Sequence, residues 1–309
     1  MPASPCHLPL LLCLAACLLP AALRAQPENA QSPSAETSNL PGPTLGSLMF
    51  TYEGESSFDN DATAFGNVGV SVSEFALNAI APMVMKPDWK LTMGLGLRAY
   101  HFAFSGTSLN NKDTYTVNVP LGLFAKLSAR WNLVAMLAPS AYTDFESLGT
   151  DDLRFACIAM AGYKWTPALT LSMGASYSRV FGSDLLFPVA GLVWNPDPEW
   201  RVSLVFPRPG IWYGPDRRLR FSAWLTPAGS EWGITETMDG TERKLNFLFK
   251  GWRTGTGVEI ELAPHANLEI AGGAALARRY ELRDSENDET VFSSDVNPTW
   301  FVQAGLVIR

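Results

Sequence analysis

From residue 47 to the end of the chain, apolar and polar side chains alternate in one segment after another. In residues 169–178, Leu169 and Leu171 fall on one face of an extended chain, and Thr170 and Ser172 fall on the other. A period of two is the alternation of a β-strand, and no later stretch keeps a helical period of 3.6. The pattern therefore predicts an all-β domain over residues 47–309.

We predict about fourteen strands, within a range of twelve to sixteen. They lie at 47–54, 67–80, 89–104, 115–128, 131–143, 154–165, 168–180, 187–195, 199–206, 219–227, 230–238, 244–262, 267–283 and 298–309. The second strand changes its apolar face near Glu74 and the twelfth near Lys250, which indicates β-bulges at both positions.

The connections between these strands alternate in length. Every second one is short, with the cores MKPD, AR, TP, NPDPE, TPAG and PHAN, whereas the others are longer and more polar. Short periplasmic turns and longer external loops are typical of outer-membrane barrels. An unpaired backbone group in hydrocarbon is costly, so a sheet there must close on itself. We therefore predict a closed antiparallel transmembrane β-barrel in the lipid bilayer of the bacterial outer membrane.

A soluble secreted β-sandwich or periplasmic barrel is the alternative. Its strands would alternate too, but they would average about 5–6 residues and carry more charge on the wet face. Several predicted strands reach 12 residues or more, and only 17% of all residues are charged. Both observations favour the membrane barrel.

The N-terminal part of the chain differs from the rest. Residues 8–23 form an apolar run that is too short for a membrane-spanning helix, which predicts a signal peptide at 1–25 with cleavage after Ala25. The sequence LAAC at 14–17 leaves a second possibility, lipidation of Cys17. Residues 26–46 are rich in Pro and Ser and form a flexible periplasmic leader. An exported barrel would also need the barrel-assembly machinery.

Tryptophans mark the strand ends next to the short turns. Rings at this level would form an aromatic girdle at the lipid–water interface. The candidate interfacial residues are Trp89, Trp131, Trp165, Trp194 and Trp200.

The segment 187–213, FPVAGLVWNPDPEWRVSLVFPRPGIWY, resembles a family of uncharacterised bacterial proteins with a domain of unknown function. Residues 94–106 and the closing strand are similar to it as well, so the resemblance covers residues 47–309. It implies an outer-membrane barrel. It implies no substrate and no catalytic residue.

Charged residues recur on the face that should turn inward, where they avoid the cost of contact with lipid. The candidate lumen-lining residues are Lys90, Arg98, Arg253, Glu259, Glu261, Glu269, Arg279 and Glu281. They could line a water-filled passage or pair across a narrow, closed interior. Small residues in strand 267–283 favour a passive channel or small-solute transporter. The alternative is a structural or surface-anchoring barrel with a closed lumen.

A lipid-modifying enzyme is a third hypothesis. His101 and Ser105 share one face near the external rim, and some outer-membrane lipid hydrolases use a His–Ser pair with a carboxylate that orients the His. The sequence identifies no such carboxylate, and we assign no catalytic, cofactor-binding or metal-ligating residue. The net charge of −7, without a basic stripe, argues against nucleic-acid binding.

Overall fold

The computed structural model describes residues 40, 43–59, 68–106, 110–146, 148–178, 185–238, 241–285 and 287–309. The expected signal peptide at 1–25, the Cys17 alternative and most of the leader at 26–46 lie outside the described residues. Strands make up most of the described chain, with one 3-10 turn at Thr150–Asp152. No helix in these ranges is long and apolar enough to cross a membrane.

Sixteen strand segments belong to one sheet. They are β1 (Gly46–Ser57), β2 (Gly69–Met85), β3 (Trp89–Ser105), β4 (Lys112–Asn118), β5 (Leu121–Lys126), β6 (Trp131–Thr143), β7 (Leu153–Lys164), β8 (Leu169–Ser178), β9 (Leu185–Trp194), β10 (Trp200–Ser203), β11 (Gly210–Tyr213), β12 (Leu219–Met238), β13 (Thr241–Ala263), β14 (Ala266–Asp284), β15 (Thr290–Val296) and β16 (Thr299–Ile308).

The sheet closes into a ring of fourteen antiparallel strands, which confirms the predicted fold class. Segments β4 and β5 both pair with β3 and β6, and β15 and β16 both pair with β14, so each couple is one wall strand. Pro120 and Pro298 lie at these two breaks, because proline has no N–H to donate to the ladder. Pairing of β1 with β16, from Gly46–Ile308 to Glu53–Phe301, closes the ring.

Two predicted connections were wrong in ways that cancel in the strand count, and the predicted loop at 284–297 contains β15, which continues the wall strand of β16. Residues 226–229 do not form a turn: β12 continues through them, and Gly229 bends it with a φ of +99°. The predicted loop at 207–218 instead contains β11, which pairs with both β10 and β12. We call the end of the barrel with the short connections the short-turn end and the opposite end the long-loop end.

Beyond Gly229, β12 no longer follows β11 and reaches across to β6, whereas β13 stays paired with β14 from Lys250 to Leu245. We call residues 229–238 and 241–250 the inner hairpin. Gly233 pairs in parallel with Thr143 of β6, and the Trp232 indole donates a 3.0 Å hydrogen bond to the Thr116 hydroxyl of β4. The inner hairpin therefore lies inside the barrel at the long-loop end and touches the wall on the far side.

Buried apolar side chains surround the inner hairpin and fill this end of the barrel. We call them the apolar cluster: Phe58, Val68, Val70, Val72, Tyr100, Phe102, Trp232, Ile234, Leu245, Phe247, Phe249, Tyr280 and Val296.

The apolar face of several strands switches sides along the barrel. In β3, Leu91 and Met93 point outward near the short-turn end, whereas Tyr100 and Phe102 point inward near the long-loop end. The backbone needs no bulge for this switch, because residues of opposite parity simply carry the apolar side chains in the two halves. The interior is thus apolar at the long-loop end and polar below it, and the exterior is the reverse.

Large apolar side chains cover the outside of the barrel between its two ends. Exposed examples are Phe50, Met83, Met93, Leu121, Leu137, Phe155, Met173, Ile211, Phe221, Ile270, Val302 and Leu306.

Replacing Gly229 should destabilise the barrel because the bend depends on the positive φ. A Cβ at this position would lie 2.0 Å from the carbonyl oxygen of Phe249. We expect Gly229→Ala to lower the free energy of unfolding by about 2 kcal/mol, measured by urea titration of the refolded protein in detergent. Gly46→Ala is the control, since its Cβ would meet only ordinary contacts at 3.5 Å or more, and should change stability by less than about 0.5 kcal/mol. Equal midpoints for the two variants would contradict this account of the bend.

Candidate functional site in the barrel interior

A cavity of about 330 Å³ lies inside the ring, between the apolar cluster and the short-turn end. Residues of β1, β2, β3, β11, β12, β13, β14 and β16 line it, together with the segment between β10 and β11. Its surface combines the charged side chains of Glu74, Arg98 and Arg253 with the rings of Trp212 and Trp224.

A chain of buried ion pairs forms the boundary between this cavity and the apolar cluster. Arg253 is at its centre: its guanidinium lies 2.7 Å from a Glu53 carboxylate oxygen and also donates to the carboxylate of Glu74. Glu53 also forms an ion pair with Arg278 at 3.0 Å, and Glu74 lies 3.5 Å from Arg98. Five strands contribute these five side chains, so the ion pairs tie distant parts of the wall together across the interior.

Arg208 lies at the cavity end of this chain. It belongs to the segment 204–209, and its exposed side chain lines the cavity close to Arg98 and Glu74. Within the described residues, no carboxylate oxygen lies within 4 Å of its guanidinium. Among the described residues, Arg208 is therefore a cation that faces the interior and makes no ion pair.

A second cavity of about 180 Å³ adjoins the first and shares Asn78 and Arg98 with it. It runs between Tyr142 and Ser178 on the wall and Ser230 of the inner hairpin. The interior space thus continues beside the inner hairpin toward the long-loop end.

The wall is thin beside Arg208. Segments β10 and β11 have four residues each, and β9 pairs with β10 only through Trp194 and Val193. Pro209, Trp224 and Leu225 line both the cavity and a groove on the outer surface. At this point a single layer of side chains separates the inside of the barrel from the outside.

A second charged group lies at the short-turn end. The carboxylate of Glu259 pairs with Arg220 at 2.8 Å and with the C-terminal residue Arg309 at 2.6 Å. Glu269 accepts a hydrogen bond from the Gln303 amide at 3.3 Å.

Six of the eight candidate lumen residues lie on the inward face. Arg98 and Arg253 belong to the ion-pair chain, and Glu259 and Glu269 belong to the group at the short-turn end. Glu261 follows Glu259 on the same face of β13, closer to the turn. Lys90 lines a third cavity, of about 550 Å³, at the short-turn end.

Arg279 and Glu281 do not face the interior. Two residues of β14 lie opposite Gly251 of β13, which places Arg278 and Tyr280 inward instead. Arg279 pairs with Glu281 on the outer face at 2.7 Å. The prediction from alternation was wrong here because it was continued through the bulge, where the inward and outward faces of β14 are exchanged.

The five candidate interfacial tryptophans are all exposed and lie near the short turns. Trp131 contacts Tyr163 at a centroid distance of 4.9 Å, and Trp200 contacts Tyr213 at 4.5 Å. The side chains of Trp89, Trp165 and Trp194 are between 38% and 64% exposed. Their contact with a bilayer interface stays a prediction.

The expected pair of His101 and Ser105 has other partners. His101 Nδ1 lies 2.6 Å from a carboxylate oxygen of Asp113, and Ser105 donates its hydroxyl hydrogen bond to Glu55. The required hydrogen bond between base and nucleophile is therefore not made. The structure offers an orienting carboxylate for His101, which the sequence did not identify, but it engages Ser105 elsewhere.

Removing Arg253 should weaken the barrel strongly, since Glu53 and Glu74 would lose their central partner inside the protein. We expect Arg253→Met to lower the free energy of unfolding by about 3 kcal/mol in a urea titration followed by tryptophan fluorescence. Arg130→Met removes an exposed arginine from a short turn and should cost less than about 1 kcal/mol. A loss in Arg253→Met no larger than in the control would show that the ion-pair chain contributes little.

The chain matches one protein family over most of its length. The family model of a domain of unknown function, DUF6268, matches residues 29–309. No curated protein sequence matches the chain.

Solved structures similar to this chain include outer-membrane channels, transporters, a porin and the translocator domain of an autotransporter. The COG4313 outer membrane channel from Pseudomonas putida F1 has a TM-score of 0.44 and 14% identity, and covers 90% of this chain and 100% of its own. The Pseudomonas putida toluene transporter TodX gives 0.40 and 9%, with 86% and 90% covered. The Ralstonia pickettii toluene transporter TbuX gives 0.38 and 9%, with 88% and 91% covered. The match over residues 29–309 confirms the resemblance to an uncharacterised family, and the chain belongs to the DUF6268 family.

Proposed function

We propose that this protein is a bacterial outer-membrane barrel that lets small solutes pass, and that the described conformation is its closed state. The short-turn end faces the periplasm and the long-loop end faces the outside. Exposed apolar side chains and the tryptophans near the short turns support the membrane location, and the difference in connection length between the two ends supports the orientation.

The observation that carries the proposal is the pair of adjoining cavities inside the ring. Together they reach from the polar middle of the barrel to the side of the inner hairpin, at Ser178 and Ser230. A barrel that served only as a scaffold could fill this volume with apolar side chains, like those of the apolar cluster. Here charged and aromatic groups surround an accessible space instead.

A closed structural barrel is the second candidate, because the apolar cluster packs the centre of the long-loop end. Phe102, Trp232 and Phe249 in this cluster have no exposed surface. The two candidates differ in whether the inner hairpin can move.

Ion pairs hold the inner hairpin against the wall at two points. Lys112 of β4 lies 2.6 Å from Glu236 of the hairpin, and Lys244 of the hairpin lies 2.9 Å from Asp152. Asp144 also accepts the backbone N–H of Thr235 at 2.7 Å. These polar contacts hold one side of the hairpin, whereas Leu245–Lys250 on its other side stay paired with β14, so opening would move the β12 edge away from β4 and β6.

Localisation can be tested directly. We expect the processed protein in the outer-membrane fraction, with unboiled samples migrating differently from boiled samples on a gel, since a closed barrel resists detergent until it is heated. Recovery of the protein in detergent-free periplasmic extract would contradict the membrane location.

Charge reversal at one of the ion pairs should open the passage. Lys112→Glu places like charges next to Glu236, and we expect it to raise the open probability about tenfold in planar-bilayer recordings. The double variant Lys112→Glu with Glu236→Lys restores an ion pair in the reverse order and should return the open probability to that of the wild type.

Removal of the inner hairpin tests the passage without depending on one ion pair. Gly229 lies opposite Lys250, so an Asn-Gly turn can join the two strands there. We expect this variant, after its ring has been verified by heat modifiability, to conduct continuously. Absence of current in this variant would contradict the passage and favour the closed structural barrel.

A further inference from the structure

We infer that the 330 Å³ cavity binds a small organic anion with a flat apolar body, such as an aromatic carboxylate. This inference rests on the proposed passage, because it names the class of solute that the passage would accept. It follows from the charge, the shape and the lining of the cavity.

The charges around the cavity do not balance. The ion-pair chain and the neighbouring Arg208 together contain four guanidiniums and two carboxylates. The guanidiniums are those of Arg98, Arg208, Arg253 and Arg278, and the carboxylates are those of Glu53 and Glu74. Four positive charges against two negative ones leave an excess of two. Uncompensated charge inside a protein is costly unless a counter-ion or water compensates it.

The excess lies on the cavity side of the group. Arg253 and Arg278 are at most 7% exposed and are held by close carboxylate contacts. Arg98 is 38% exposed and lies 3.5 Å from Glu74, which Arg253 binds more closely. Arg208 faces the cavity without a carboxylate within 4 Å among the described residues. Arg208, and Arg98 beside its longer contact with Glu74, can therefore bind an incoming anion.

Glu269, at the short-turn side of the cavity, does not cancel this excess. It is hydrogen-bonded to Gln303 and lies near the Glu259 and Arg309 pair. The cation Arg309 thus lies among the neighbours of Glu269, and the surface formed by Arg98 and Arg208 stays positive.

The wall next to these arginines is aromatic and apolar. Trp212 and Trp224 line the cavity, and Trp224 is backed by Phe301 at a centroid distance of 5.6 Å. Met49 and Leu225 extend the apolar surface. Such a lining offers a flat body the large contact area of an indole, while an arginine fork matches the two oxygens of a carboxylate.

The size of the cavity limits the solute. Small-molecule sites in proteins occupy roughly 300–1,000 Å³, so a volume of 330 Å³ suits a single small ring with a short acidic chain. An oligosaccharide or a long peptide would not fit.

Calorimetric titration of the full refolded protein in detergent tests the inference with three probes of one shape. These are 3-phenylpropionate, its alcohol 3-phenylpropanol and the cation 3-phenylpropylammonium. We expect the anion to bind about tenfold or more tightly than the alcohol, and the cation to show no measurable binding, because a charge-assisted pair is stronger than a neutral hydrogen bond.

Substitution of Arg208 locates the site. Arg208→Gln should weaken binding of 3-phenylpropionate about tenfold and leave binding of the alcohol nearly unchanged. Arg208→Lys keeps the positive charge and should lose less affinity. Arg130→Gln, in a short turn outside the cavity, is the matched control and should bind both probes as the wild type does.

Equal affinity for the anion and the alcohol would overturn the inference, as would unchanged anion binding in Arg208→Gln. These results are separable from failure of the passage. A conducting protein that binds the three probes equally would retain the passage and lose the anion site. A non-conducting protein with selective, Arg208-dependent binding would retain the site and lose the passage.

Discussion

Closure of the hydrogen-bonded ring is the constraint on which the rest of the structure depends. The first wall strand, β1, pairs with the last, β16, over eight consecutive positions, so the sheet has no free edge there. Once the ring is closed, every strand has one face toward the interior and one toward the surroundings. The position of each cavity residue is then decided by its parity in the sequence and by the few bulges.

The sequence predicted the ring well because strand alternation and turn length are local properties. It could not predict that the apolar face of a strand points outward near the short-turn end and inward near the long-loop end. Glu74 was interpreted as a bulge because Val72 precedes it on one apolar face and Phe75 follows on the other. That bulge was wrong, since Glu74 keeps regular pairing with Thr51 and Tyr100. The apolar side chains change faces because the interior is apolar at the long-loop end.

The bulge expected in β13 near Lys250 lies in β14 instead, where two residues are opposite Gly251, and β13 keeps the same parity inward from Phe247 to Arg253. The sequence of β14 gives no sign of this bulge, so it did not reveal the outward positions of Arg279 and Glu281. The sequence also could not show which charged residues pair with each other across the barrel interior. Arg253 and its partner Glu53 are 200 residues apart, and only the closed ring brings them together. Arg208 lies in a connection without periodicity, so no alternation pointed to it.

The short hairpin of β10 and β11 gives the wall an uneven strength. A barrel resists widening because interstrand hydrogen bonds join its strands around the whole circumference. Beyond Ser203 and Gly210 these hydrogen bonds depend on the segment 204–209, whose backbone bonds to Leu192 and Leu225 continue the ladder. Any expansion of the circumference would therefore be opposed at β10 and β11 by fewer ladder pairs than along the longer strands, and the positive charge of Arg208 lies at that same place.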